Sequence, residues 1–401
     1  MEYVVVLVVP LFLFFLYLEY YYTKKKNQAV YKYESSIANI SIGIAERFFN
    51  LFVAASFYKV FVWVHLNFAL FAIASNWYTS IILLLIADFV WYWYHRLGHQ
   101  VNLFWAAHIV HHHSEEFNFT AATRITTIQA LVRTPFWCLL PLLGFHPKQV
   151  FGVLVFHGMY SFFTHTQWIK IPKWVENIFI TPSLHGVHHA SNEKYLDKNF
   201  GDVFVFWDKL FGTFQNEVEK PVYGITHSLN RYSFLWQHFH YYFEILVAVK
   251  KEKSLKMKFK MMFGNPSVMD QNIRIEIEKY FFKSKIRTSL SKNLKFYVAV
   301  QMLFLLLFLS IFTLKFSITD TLEKFIYGGI LIITLINVGA LLEQRKWIYY
   351  LEIVRLFFFS ILFSYYIENW SIIIAVFYGL LLMCVNKNYK KWYFNYFLKY
   401  Q

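Results

Sequence analysis

Long apolar runs separated by short charged clusters dominate the chain. Runs of about 18 or more apolar residues are long enough to cross a bilayer as helices. The pattern predicts spans near 3–22, 40–64, 77–97, 126–143, 149–166, 294–315, 325–342, 348–367 and 370–386. Glu46 and Arg47 interrupt the second run. The fourth and fifth meet at Gly144-Phe145-His146-Pro147, a breaker cluster that reads as a tight hairpin. Between the fifth and sixth lies a long segment, 167–293, that mixes aromatics with charge. The expected fold is all-α: a polytopic helical membrane bundle with an N-terminal transmembrane anchor over 1–34, a central region over 35–275 and C-terminal transmembrane helices over 276–401.

Composition agrees with this pattern. Hydrophobic residues make up 57% of the 401 positions, against roughly 45–50% in soluble domains. The first run, Tyr3 to Tyr22, lacks a basic leader and a small-residue cleavage site, so it reads as a retained span rather than a signal peptide. Cys138 and Cys384 lie far apart inside apolar runs and offer neither a disulfide framework nor a thiolate metal site.

The formal net charge of +15 invites a nucleic-acid reading, which its placement argues against. Lysine and arginine gather between the apolar runs, as in Lys24-Lys25-Lys26 and Lys250 to Lys260. That is the distribution of a membrane protein whose basic loops stay in the cytoplasm, beside anionic headgroups. With Lys24 to Lys26 on that side, alternation of the spans puts 95–125, 167–293, 343–347 and the tail from Lys387 there too. The partners expected are a membrane and its lipids, with no nucleic acid.

The chemistry lies in histidines. His95-Arg96-Leu97-Gly98-His99 sets two imidazoles at i and i+4, on one helix face. His108-Ile109-Val110-His111-His112 sets three at i, i+3 and i+4, and His185-Gly186-Val187-His188-His189 repeats that spacing. His165, at the end of the fifth run, makes a ninth. His113 leaves a second register open, His108 with His112 and His113. His65, His146 and His157 read as ordinary packed or interfacial residues. Imidazole suits iron, zinc, copper or nickel, and nine nitrogens are too many for one ion. Two ions, each with about four nitrogens and an open position, account for the count. All the clusters fall at the cytoplasmic mouth of the expected bundle.

Other polar residues stand close by. Asp88 precedes His95 by seven residues, on the same helix face, where a carboxylate near a span is a functional candidate that orients an imidazole. Glu115, Glu116, Asn118 and Arg124 follow the second cluster and are placed to orient ligands or meet a reductant; a solvated face is the equal alternative for the two glutamates. Asp197, Asn199 and Asp208 lie near the third, where Asn199-Phe200-Gly201 also reads as a simple turn. His227, His238 and His240 are candidates to cap the site. A membrane metal transporter is the non-enzymatic alternative, but transport needs polar groups spread through the spans, and here most histidines gather at one end.

HRLGH, HIVHH and HGVHH resemble the histidine boxes of the fatty acid hydroxylase superfamily, which includes the sterol desaturases. Asn199-Phe200-Gly201-Asp202 and Trp207-Asp208-Lys209-Leu210-Phe211-Gly212-Thr213-Phe214 match the stretch that follows the third box there. Within the superfamily, His95 to Asn102, Ser114 to Arg124, His165-Thr166 and Tyr223 to Asn230 look most like the ether-lipid-cleaving branch, the alkylglycerol monooxygenases. The resemblance implies a di-iron catalytic region over 35–275 that uses dioxygen as co-substrate and tetrahydrobiopterin, an external reductant, to hydroxylate a lipid alkyl chain. A sterol, carotenoid or fatty-acyl hydroxylase or desaturase fed by an electron-transfer protein is the alternative within the superfamily. One position departs: the branch normally carries Glu after the second histidine of the first box, where this chain has Gln100. That position and Arg124 are the candidate cofactor contacts.

Overall fold

The computed structural model describes residues 2–282, 289–369 and 371–398. Met1, in the expected anchor, and Trp370, where the ninth expected span begins, lie outside them, as do the side chains of the first eight residues. The described chain is helical; two isolated bridges, Phe179 with Phe204 and Ala190 with Tyr223, are the β-type pairings it contains.

The helices begin and end where local chemistry dictates. α1 (Glu2–Lys25) ends in lysines, and α2 (Tyr33–Phe68) runs unbroken through Glu46 and Arg47, which pair at 3.4 Å. α3 (Trp77–Gln100) starts with a capping box, in which Asn76 accepts from the Thr79 N–H and Thr79 accepts from the Asn76 N–H. After α4 (Asn102–His108) the chain tightens into a 3-10 turn over Ile109–His113. α5 (Thr127–Trp137) and α6 (Leu139–Leu143) replace the single span expected over 126–143. Pro135 and Pro141 each remove a backbone donor there, and Gly144, at φ +112, ends the hairpin arm in the left-handed region that glycine tolerates. α7 (Pro147–Thr164) follows, with Pro147 at its first position. α8 (Pro182–His188) is capped by Thr181, and the short α9 (Phe206–Leu210) lies beyond it.

By length and apolarity five helices among the described residues are able to cross a membrane: α2, α3, α10 (Lys292–Lys315), α11 (Thr321–Leu342) and α12 (Ile348–Ile367). A sixth crossing arises if Ser371–Val385 and Lys387–Leu398, bent by 83°, form one broken span. This is fewer than the nine apolar runs promised: 126–143 folds as two short pieces, and α7, over the fifth run, is not among the five.

The chain divides into two compact units. The larger comprises 10–229 with 238–281, and its core packs Leu83, Ala87, Trp91 and Tyr94 of α3 against Trp137, Leu140, Phe145 and Val150. The other comprises 1–9, 230–237 and 282–401. Within it, Glu352 of α12 is buried but paired: Arg355 reaches it at 2.6 Å, the Tyr297 hydroxyl at 2.9 Å and the Asn337 amide at 3.0 Å. A carboxylate in an apolar bundle persists only with such partners.

Candidate metal centre

Nine histidines, all buried, meet inside the larger unit in two sets. His95, His99, His108, His112 and His188 form one; His111, His165, His185 and His189 form the other. Within each set one ring nitrogen per residue lies within 4.8 Å of all the rest. These are the nine expected from spacing, but their division cuts across the boxes.

Helical geometry explains the division. Residues i and i+4 stay on one face, while i+3 and i+4 point about 100° apart. Each i, i+4 pair therefore serves one set: His95 with His99, His108 with His112, His185 with His189. The i+3 histidine of each three-histidine box, His111 or His188, crosses to the other set. His113 joins neither set, lying beside His240 with ring centroids 4.8 Å apart, whereas His111 and His112 each fall in one.

The tautomers show what the sets can hold. The Nδ1–H groups of His95, His165 and His188 donate to the carbonyls of Phe200, Ser161 and Lys198 at 2.8, 2.7 and 2.8 Å. A neutral imidazole has one N–H, so each Nε2 presents a bare lone pair. Yet His165 Nε2 lies 3.1 Å from His111 Nε2 and 3.0 Å from His185 Nε2. In the other set His95 Nε2 lies 3.0 Å from His108 Nε2, and His112 Nε2 lies 3.1 Å from the same atom. A bare lone pair facing another imidazole nitrogen at this spacing either accepts an N–H from the facing ring or is joined to it through a bound cation. With metal–nitrogen bonds of about 2.1 Å, two imidazoles at right angles put their nitrogens about 3.0 Å apart. The residues fit two metal ions. Burial, reinforced by neighbouring imidazoles, holds His108, His111, His112, His185, His188 and His189 well below the usual histidine range, which keeps them neutral and able to ligate.

With this geometry in view, comparison with known proteins is specific. The fatty acid hydroxylase family model matches residues 80–213, the stretch that carries all nine ligand candidates. Alkylglycerol monooxygenase of Homo sapiens is 32% identical over 345 residues, covering 83% of this chain and 76% of that protein. The chain belongs to the fatty acid hydroxylase family. It is an oxidoreductase, a lipid monooxygenase. The Danio rerio alkylglycerol monooxygenase is 29% identical over 333 residues, covering 81% of this chain and 74% of that protein. An ornithine lipid hydroxylase of Rhizobium tropici is 33% identical over 138 residues, 33% of this chain and 40% of that protein. No solved structure matches.

Around this family's histidines, the other candidate residues lie outside the ligand sets. Asp88 touches no ligand imidazole in the described contacts. It accepts from the Val203 and Phe204 N–H groups at 2.9 and 3.0 Å and from the Trp207 indole at 3.1 Å, anchoring the segment that begins with Phe200. Asp208 accepts from the Phe200 and Gly201 N–H groups at 2.7 and 2.8 Å, although burial pushes its carboxyl up to about 6. Asn199, at φ +53, donates to the Leu184 and Gln215 carbonyls and so ties α8 to 213–215. Arg124 backs the second box, reaching the Val110 carbonyl and Asn39 at 2.7 Å each and His113 at 3.3 Å; burial lowers it to about 9. Asn118 braces its loop by donating to the Val30 carbonyl at 2.5 Å. Glu116 lies near Ser35 and Lys32, and Gln100 ends α3 half-buried. His227, by its carbonyl, contacts Arg274.

One residue escaped the sequence reading. His157, taken as an ordinary packed histidine, is buried between Asp88 at 3.1 Å and Asp202 at 2.8 Å. The usable signal was Asp88 itself, which needs a donor partner on a neighbouring helix. The Asp197–Phe200 segment was noticed for its turn, not for its carbonyls, and carbonyl direction is invisible in sequence.

Proposed function

We propose that the chain cleaves the O-alkyl bond of alkylglycerol ether lipids, with iron in both histidine sets and tetrahydrobiopterin as the external reductant. The observation that supports this most is the pair of buried sets with facing Nε2 atoms, in a chain 32% identical to an alkylglycerol monooxygenase over 83% of its length. Bound iron would supply dioxygen activation, so that one oxygen atom enters the C–H bond beside the ether oxygen and the other leaves as water with two electrons from the reductant. The resulting hemiacetal collapses to a fatty aldehyde and a glycerol derivative as its hydroxyl proton passes to the ether oxygen.

The protein's own residues hold, orient and seclude. Neutral imidazoles from all three boxes and His165 ligate; backbone carbonyls at Phe200, Lys198 and Ser161 fix three ring orientations. Asp88 and Asn199 hold the segment that carries the Phe200 and Lys198 carbonyls, Arg124 and Asn118 support the loop after the second box, and Glu116 and Gln100 are the residues we assign to a polar cofactor or reductant. The site faces the cytoplasm in this reading, as the basic loops indicate.

Purified protein given an alkylglycerol with tetrahydrobiopterin should yield fatty aldehyde and glycerol. Oxidation of sterol or acyl chains with a protein electron donor, and no ether cleavage with pterin, would overturn this in favour of the other hydroxylase reading. Gln100, in place of the glutamate usual in the branch, is the feature that favours that second reading.

A further inference from the structure

Glu19 is fully buried on α1, in a helix that otherwise reads as an apolar anchor. A carboxylate so placed persists only when its oxygens are satisfied. Both are. Oε1 accepts from the Thr166 hydroxyl; Oε2 accepts from the Tyr31 hydroxyl and from the Phe119 N–H at 2.9 Å. None of the donors is a cation, and they come from three separate segments: the linker after α1, the loop after the second box and the turn that carries His165.

That turn is the meeting point. Thr166 also accepts from the Trp168 N–H at 3.0 Å, so the hydroxyl Glu19 holds closes the turn beside His165. The same face of α1 packs Phe15 on Phe163 at 5.0 Å and stacks Tyr22 on Trp168 at 5.1 Å. Two residues before Phe119, the Phe117 ring lies against those of His165 and His189, and its carbonyl accepts from Gln167. Through Phe117 and the His165 turn these contacts reach the four-histidine set.

We propose that Glu19 is a positioning residue for the four-histidine metal centre, holding the His165 turn and the Phe117–Phe119 loop in register, so that the N-terminal helix is part of the metal-binding apparatus. The inference rests on the two-metal reading above. It is tested on the full chain in detergent by metal content per chain and by ligand-field absorption after loading with cobalt(II). Wild-type protein should hold two ions; if it holds none, both the reading and the inference fall. Thr166→Val and Glu19→Gln should bind the second ion about 10–100-fold more weakly while keeping the first. In a His99→Ala background, which weakens the five-histidine set, the same changes should remove the remaining ion. Retention of both ions at wild-type affinity, or equal loss of both, overturns the proposal. Thr166→Val removes one donor with almost no change of shape, so it decides the matter even if Glu19→Ala fails to fold.

Discussion

The two histidine sets differ less in their donors than in what stands behind them. In the five-histidine set, His95 and His188 donate to the carbonyls of Phe200 and Lys198, and His99 Nδ1 faces Asp197 at 3.5 Å. All three outer partners come from one four-residue segment, Asp197 to Phe200. That segment is fastened at Asn199 by Leu184 and Gln215 and at Phe200 by Asp208, with Asp88 holding its continuation. In the four-histidine set only His165 has such a partner, the Ser161 carbonyl, while the Nδ1 atoms of His111 and His185 have no hydrogen-bond partner among the described residues. Since outer partners fix ring direction and raise ligand basicity, we expect the five-histidine set to retain an ion more tightly than the four-histidine set.

Removing a ligand from either set should have the largest effect. His188→Ala and His185→Ala are each expected to lower lipid oxidation by at least about 100-fold, on the scale set by losing even an outer partner. Metal analysis should then show one ion remaining in each case. If His188→Ala keeps both ions, the assignment of the i+3 histidine to the set opposite its own box fails.

Asp208→Asn comes next. An amide has one acceptor where the carboxylate has two, so an N–H of the side chain would face the N–H of Phe200 or Gly201. The carbonyl that orients His95 should shift, weakening metal binding at the five-histidine set by about 10–100-fold while leaving the other set as it was. Loss confined to the four-histidine set would invert the comparison.

The clustering of these nine histidines was legible because ligand-like spacing is local. His95 and His99, or His185 and His189, are near in sequence and share a helix face, so their pairing is legible. Which set receives the i+3 histidine of each box was not, since it depends on α8 meeting α3 from another part of the chain. Asp88 was noticed, but its part differs: it faces a loop 115 residues away rather than the imidazole seven residues on. The helical membrane architecture was legible from apolar runs, whereas the break between α5 and α6 turned on two prolines that hydropathy overlooks.

A milder test needs no substitution. Dialysis of the metal-loaded protein against a chelator should remove the two ions in separate phases, the four-histidine ion leaving several-fold faster. Elemental analysis over time and the same experiment on His185→Ala, which should show the slow phase alone, identify the phases. A single phase for wild-type protein would mean that outer partners do not govern retention here.

The smallest effect belongs to His113. It follows directly on the second box and is one of three consecutive histidines, so composition gives no reason to treat it differently from His111 or His112. The structure does: its ring packs on His240, and its Nδ1 faces the guanidinium of Arg124 at 3.3 Å. Arg124 keeps its bonds to Val110 and Asn39 without it. His113→Gln should therefore retain two ions and change activity by no more than about 3-fold, since its ring belongs to neither set and the glutamine amide oxygen can still accept from the Arg124 guanidinium. Loss of an ion in this variant would restore the alternative register and draw the line between the two sets elsewhere.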